Sequence, residues 1–145
     1  MDAEAVQAMI RGDRKQWEAL VAVLGAHPDG PLHDPEAPEW TARDVYTHLA
    51  RWIEHSTEAL EAWVAGRTIA PLEGADDDET NAGIQRQYSQ LSLDEAQERA
   101  QRAFERRIQA IEAVPGDRWD DKVTEATARA DGAEHYAAHQ TYITA

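Results

Sequence analysis

The chain contains no cysteine. That excludes disulfides, thiolate metal ligands and a protein thiol nucleophile. Any metal site must be built from His, Asp or Glu, and any thiol chemistry needs a thiol cosubstrate. Long apolar runs are also missing; none approaches the roughly 20 residues that span a bilayer, so no membrane segment is expected. The opening residues, MDAEAVQAMIRGDRK, lack the basic start and apolar middle of a secretory signal, and a cytoplasmic location is expected. Positive charge is scarce, with 14 Lys plus Arg against 28 Asp plus Glu and a net charge of −14. Such a surface repels phosphate backbones, so no nucleic-acid partner is expected. Arg99, Arg102, Arg106 and Arg107 do cluster, but they alternate with Glu95, Glu98, Glu105 and Glu112, which reads as a solvated helix face. No strand-like alternation persists, and there is no internal repeat or low-complexity block.

What is present is helical. The 145 residues, 42% hydrophobic and 29% charged, suit one globular domain over residues 1–145. Val6, Met9, Ile10, Trp17, Leu20, Val21 and Leu24 recur at three- and four-residue spacings, predicting a first helix over 3–25, with Gly12 a weak point inside it. A Pro-rich loop, GAHPDGPLHDPEAPEW, follows. Thr41 caps a second helix with Asp44 at its third position and Trp40 placed to staple onto Val45; Val45, Leu49, Trp52, Ile53, Leu60, Trp63 and Val64 form its apolar series, and Gly66 closes it. A short helix is predicted from about Asp78 to Tyr88. The capping box Ser92-Leu-Asp-Glu95 starts a long helix that runs to Val114. Residues 116–130 give no clear periodicity. Asp131-Gly-Ala-Glu134 repeats the capping-box spacing and launches a final helix. Four principal helices with long crossovers predict an all-α four-helix bundle.

The final helix carries His135 and His139. On a wheel of about 100° per residue they share an arc with Tyr142 and Ile143, so they are expected at the centre of the face that meets the bundle. A buried imidazole must satisfy two ring nitrogens, and two of them one turn apart cannot both be charged. A shared cation answers both demands, because side chains at i and i+4 approach closely enough to converge on one ion. The same spacing supplies two ligands in HExxH zinc helices, but here Tyr136 follows the first His and that protease motif is absent. A third ligand must come from elsewhere. His48 is the best candidate, flanking the Val45–Leu49–Trp52 face, whereas His55 lies further round. His27 and His33 belong to the Pro-rich loop and are expected in solvent. Three imidazoles from two helices leave coordination positions open, as catalytic sites do. The competing reading is that these histidines are packed, hydrogen-bonded core residues. Trp52, Trp63 and Tyr142 are available to line an apolar pocket or to fill the core, and Asp78 and Glu79 are the acidic side chains considered as general base.

The segment Trp40-Thr-Ala-Arg-Asp-Val-Tyr-Thr-His48-Leu-Ala-Arg-Trp52 resembles the second helix of DinB-like proteins, and His135-Tyr-Ala-Ala-His139 is similar to the HxxxH of their last helix. Asn81 through Tyr88-Ser-Gln-Leu-Ser-Leu-Asp-Glu-Ala96 is similar to a branch that includes ClbS-like resistance proteins. The likeness spans roughly residues 3–144; each motif is short, and their order and separation carry the weight. The resemblance implies a four-helix bundle with unusual crossovers and a homodimer. It implies a divalent metal ion, nickel, zinc or iron, on His48, His135 and His139. It also implies a small-molecule substrate, with thiol-dependent transferases that use a low-molecular-weight thiol among the relatives. Absence of a second domain fits a one-domain transferase or hydrolase better than the isomerase relatives. Two other functions stand beside this one: a ClbS-like small-molecule resistance or binding protein without a catalytic metal, and a structural metal-binding bundle.

Overall fold

The computed structural model describes residues 1–28, 32 and 39–144. His33 and most of the Pro-rich loop lie outside the described residues. The architecture is an all-α bundle. In chain order it has α1 (Ala3–Ala26), α2 (Ala42–Val64), α3 (Asp77–Gln87), α4 (Leu93–Glu112), a 3-10 helix (Gly116–Asp120), α5 (Lys122–Arg129) and α6 (Ala133–Thr144). No described helix is long and apolar enough to cross a membrane.

Local chemistry sets the helix starts. Asp2 accepts from the Ala5 N–H at 2.8 Å. Asp44 Oδ2 accepts from the Thr41 N–H at 2.9 Å. Ser92 and Glu95 exchange reciprocal bonds, each of 3.1 Å. Each satisfies backbone donors that a helix start leaves orphaned. Asp76 caps α3 by accepting from the Glu79 N–H, so that helix begins at Asp77, one residue before the expected start near Asp78. Residues 116–130, unreadable in the sequence, form the 3-10 helix and α5. The latter buries only Thr124 and Ala128, too small a stripe to register as apolar periodicity. It is held laterally instead: Trp63 Nε1–H donates to Asp121 Oδ2 at 3.0 Å and to Thr124 Oγ1 at 3.1 Å. Trp63 therefore serves α5 packing and lines no cavity with the histidines.

The core runs through α1, α2, α4 and α6, with α2 closest to α4 and α1 closest to α6. Trp17 of α1 stacks on Phe104 of α4 with ring centroids 4.9 Å apart and meets Tyr136 of α6 edge-on at 5.1 Å, both favourable ring arrangements. The arginines of α4 divide into three kinds. Arg102 pairs with Glu98 on an exposed face. Arg99 and Arg106 reach across to Glu54 and Glu61 of α2. Arg107 is buried against Asp13 of α1, Nη2 to Oδ2 3.0 Å. The expectation of a uniformly solvated face is thus corrected for Arg107. Charge alternation along a helix does not reveal which residue meets a buried partner 94 positions away.

The start of α6 also departs from the capping-box expectation. Asp131 has φ +57°, a left-handed conformation uncommon for a non-glycine residue, and its side chain bonds the His135 ring and the Ser56 hydroxyl. The cap is supplied in trans: Asp13 Oδ1 accepts from the Ala133 N–H at 2.9 Å. Arg107 Nη1 donates to the Ala130 carbonyl at 2.7 Å. Between these two anchors Gly132 has no room for a side chain; a Cβ there would strike Arg107 Nη2 and crowd Asp13 Oδ1.

Candidate metal centre

Tyr136, His139 and Ile143 are the buried large residues of α6. They centre the buried face about one position away from the arc the wheel predicted, because Tyr136 fills the Trp17–Phe104 corner. His135 therefore sits on the flank of that face, with a quarter of its side chain exposed, rather than at its centre. On α2, residues 44–50 are all buried, since that stretch packs among several helices. This places His48 opposite the histidine flank of α6.

The three rings meet. His48 Nε2 lies 3.2 Å from His135 Nε2, and His139 Nε2 lies 3.1 Å from the same atom. The available nitrogens of all three lie within 4.8 Å of one another. His55 is elsewhere, its Nε2 2.9 Å from the Ala70 carbonyl, and His27 is exposed.

Hydrogen-bond partners behind two of the rings fix the tautomers of His48 and His135. Trp52 Nε1–H can only donate, and it donates to Asn81 Oδ1 at 2.7 Å. That oxygen is also 3.0 Å from His48 Nδ1. An amide oxygen cannot donate, so His48 Nδ1 carries the hydrogen and His48 Nε2 presents a lone pair when the ring is neutral. Asp131 behaves likewise toward His135. Its Oδ1 is 3.2 Å from His135 Nδ1, and Oδ2 accepts from the Ser56 hydroxyl. Burial pushes the Asp131 carboxyl up, but the bonds from His135 and Ser56, with His135 and Arg107 nearby, hold it below the ordinary carboxylate range. As a carboxylate it can only accept, so His135 also donates from Nδ1 and aims a lone pair from Nε2 in its neutral form.

The consequence is electrostatic. His139 can donate to His135, but the His48–His135 contact sets lone pair against lone pair when both rings are neutral. Extra protons are a poor remedy. Burial, reinforced by His139 and His135, pushes His48 well below its usual value. Burial, with His135 beside it, brings His139 down to about 3. A metal cation accepts all three lone pairs at once. The donor set suits it: two nitrogens each bound at about 2.0–2.1 Å stand about 2.9–3.4 Å apart in octahedral-to-tetrahedral geometry. The observed separations of 3.1 and 3.2 Å fall in that interval. The amide of Asn81 behind His48 and the carboxylate of Asp131 behind His135 are the usual support of a histidine metal ligand.

The cluster opens onto a cavity of about 660 Å³, within the range of about 300–1,000 Å³ common for small-molecule sites. Trp40, Trp52 and Tyr142 stand around it, with Glu39, Asp77 and Asp78 among its lining residues. Trp40 lies against His48, ring centroids 5.1 Å apart, and Tyr142 lies edge-on to His139 at 6.2 Å. Of the two acidic side chains considered as base, Asp78 reaches this cavity. Glu79 lines a separate one beside Arg51 and His55. Asn81, Asp131 and Ser56 were missed in the sequence. Asp131 left a trace there, four residues before His135, where it was read as a cap, and Asn81 opened the segment likened to ClbS-like proteins without a role of its own.

No match was found among curated proteins or among solved structures. A family model for the DinB superfamily matches residues 13–142, a span that takes in α2, most of α6 and all three clustered histidines, and the chain belongs to that superfamily.

Proposed function

We propose that this protein is a divalent-metal-dependent enzyme acting on a small molecule, with His48, His135 and His139 as the ligands. The observation that carries the reading is the convergence of the His48 and His135 lone pairs, each enforced by a partner behind the ring, at the floor of an aromatic-walled cavity. Nickel, zinc and iron all accept such a nitrogen set. A bound divalent ion supplies Lewis acidity, lowering the pKa of a bound water or thiol so that a nucleophile exists near neutral pH. The reaction class is thiol transfer or hydrolysis, and the absence of cysteine means that any thiol arrives with a cosubstrate.

The chain's own residues divide the remaining work. Asn81, steadied by Trp52, holds His48 in one tautomer, and Asp131, steadied by Ser56, does the same for His135. Trp40, Trp52 and Tyr142 keep water from the flanks of the cluster. Asp78 at the cavity wall is the proton acceptor for an incoming nucleophile. A homodimer in the cytoplasm is the setting proposed on family likeness.

Elemental analysis of protein purified without a histidine tag tests this. Close to one equivalent of a divalent metal per chain is expected, lost in His139→Ala and His48→Ala and kept in the His27→Ala control. Full occupancy in His48→Ala would exclude that ligand. A metal-free protein that still binds small molecules would point to a resistance or binding role.

A further inference from the structure

Three buried side-chain atoms find no hydrogen-bond partner among the described residues: Thr57 Oγ1, Arg107 Nε and Tyr136 Oη. Their residues are closed to bulk solvent, Thr57 and Arg107 at 2% exposed and Tyr136 at 0%. The fold brings them to one level of the bundle. The Glu54–Arg99 and Glu61–Arg106 pairs each span 45 positions, so α2 and α4 run side by side in one direction. Thr57 is thereby level with the turn of α4 just before Arg107. Helix side chains lean toward the N-terminus of their helix, which carries the Arg107 stem back toward that turn. Tyr136 packs its ring on Phe104 of the same turn, centroids 6.0 Å apart. The segment between α5 and α6 ties the three together. Arg107 donates to the Ala130 carbonyl, Ser56 (the neighbour of Thr57) donates to Asp131, and the Tyr136 N–H donates to the Gly132 carbonyl. Burial pushes the Tyr136 hydroxyl up, with the charges of Arg107, Asp13 and Asp131 acting on it, so it stays protonated and can donate as well as accept. Buried polar groups are costly unless hydrogen-bonded, and three of them at one level call for a shared partner.

We propose that one ordered water is bound inside the bundle between Arg107 Nε, Tyr136 Oη and Thr57 Oγ1. The water accepts from the Arg107 Nε–H and the Tyr136 O–H and donates to Thr57 Oγ1. Internal waters typically make about three such bonds to groups the protein leaves unpaired. Charge excludes an ion at this place. Arg107 is already matched by Asp13, Nη2 to Oδ2 3.0 Å, and Asp131 adds a second carboxylate to the neighbourhood, so an anion is repelled. A cation would face the Arg107 Nε–H, which can only donate. A neutral molecule that both donates and accepts remains. The bridge joins α2, α4 and α6 behind the histidines, and it holds whether or not those histidines bind a metal.

A high-resolution crystal structure tests this directly. It should show a water within about 2.6–3.2 Å of all three atoms. Melting temperatures give an independent reading, and their sign decides. Removing a buried hydroxyl that has no partner relieves a penalty and raises the melting temperature, whereas removing one that is bonded to a buried water lowers it. Tyr136→Phe and Thr57→Val should therefore each lower the melting temperature by about 2–5 °C. The comparison is made on metal-free protein, so that metal occupancy does not enter. A melting temperature unchanged or raised in either variant overturns the proposal. Electron density that places no water within reach of Arg107 Nε and Tyr136 Oη, or that pairs these atoms with protein groups, overturns it as well, and that measurement needs no variant to fold.

Discussion

Substituting Asp13 by Asn should damage both the fold and the histidine cluster, although the side chain keeps its shape. Asp13 is 2% exposed, as is Arg107, and its two oxygens do different work. Oδ2 neutralises Arg107 at 3.0 Å, and Oδ1 caps α6 through the Ala133 N–H at 2.9 Å. An amide can imitate only one of these, because its nitrogen is a donor facing either a guanidinium or a backbone N–H. The larger loss is electrostatic. Breaking a buried pair from one side leaves a charge without compensation, which typically costs about 3–5 kcal/mol, a large share of the roughly 5–15 kcal/mol that holds a domain together. Arg107→Met should cost a similar amount, since it strands the Asp13 carboxylate and the Ala130 carbonyl. The double variant should recover a substantial part, because it removes both charges together. Urea denaturation of the metal-free protein, followed by circular dichroism, gives the four stabilities of the cycle. Hydrogen exchange of residues 133–139 should rise in Asp13→Asn beyond the global change, because the cap of α6 is lost. Single-variant costs below about 1 kcal/mol, or strict additivity in the double variant, would refute the clamp.

Acid should destabilise the metal-free protein through the buried histidines. The folded-state values of His48 and His139 are depressed, the latter to about 3, so their contribution is intact above the ordinary value of about 6.5 and is lost as pH falls from there toward about 3. Each ring removes up to about 1.4 kcal/mol per pH unit in that window. Urea midpoints between about pH 7.5 and 5.5 should therefore fall less in His139→Gln than in the parent. Asn81→Leu should leave Trp52 Nε1 and His48 Nδ1 without partners and weaken metal binding about 10–100-fold in chelator competition. Gly12→Ala should raise stability by about 0.5–1 kcal/mol in thermal melts, because a Cβ there meets nothing within 4 Å inside α1. Gly132→Ala should instead lower the melting temperature and loosen the Asp13–Arg107 clamp, since its Cβ collides with Arg107 and crowds Asp13.

The helices were legible because their signals are local. Three- and four-residue apolar spacing revealed α1 and α2, a capping box revealed α4, and the Thr41 and Ser92 boxes marked the starts of α2 and α4 to the residue. The 3-10 helix and α5 were not, because α5 is secured by Trp63 reaching Asp121 and Thr124 rather than by an apolar stripe. The histidines divide in the same way. The pair on α6 is visible as a four-residue spacing, and His48 as a polar residue at the edge of an apolar face. The groups that decide what those rings can do come from 33 positions away for Asn81 and 75 for the Ser56–Asp131 contact, and no local pattern encodes such distances.

That division explains how a helix of 12 residues can place two imidazoles beside His48. On its own α6 is too short to be stable in water, since isolated helices below about 12–15 residues are marginal, and its His135 flank is only partly buried. Its position is imposed from outside by Asp13 at the first turn, Arg107 on the preceding loop, and Tyr136 wedged against Trp17 and Phe104. The buried charges and the left-handed Asp131 are therefore best understood as parts of one device. They hold the start of α6 so that Asp131 faces His135, and so that His135 and His139 lie beside His48 with their nitrogens within 4.8 Å of one another.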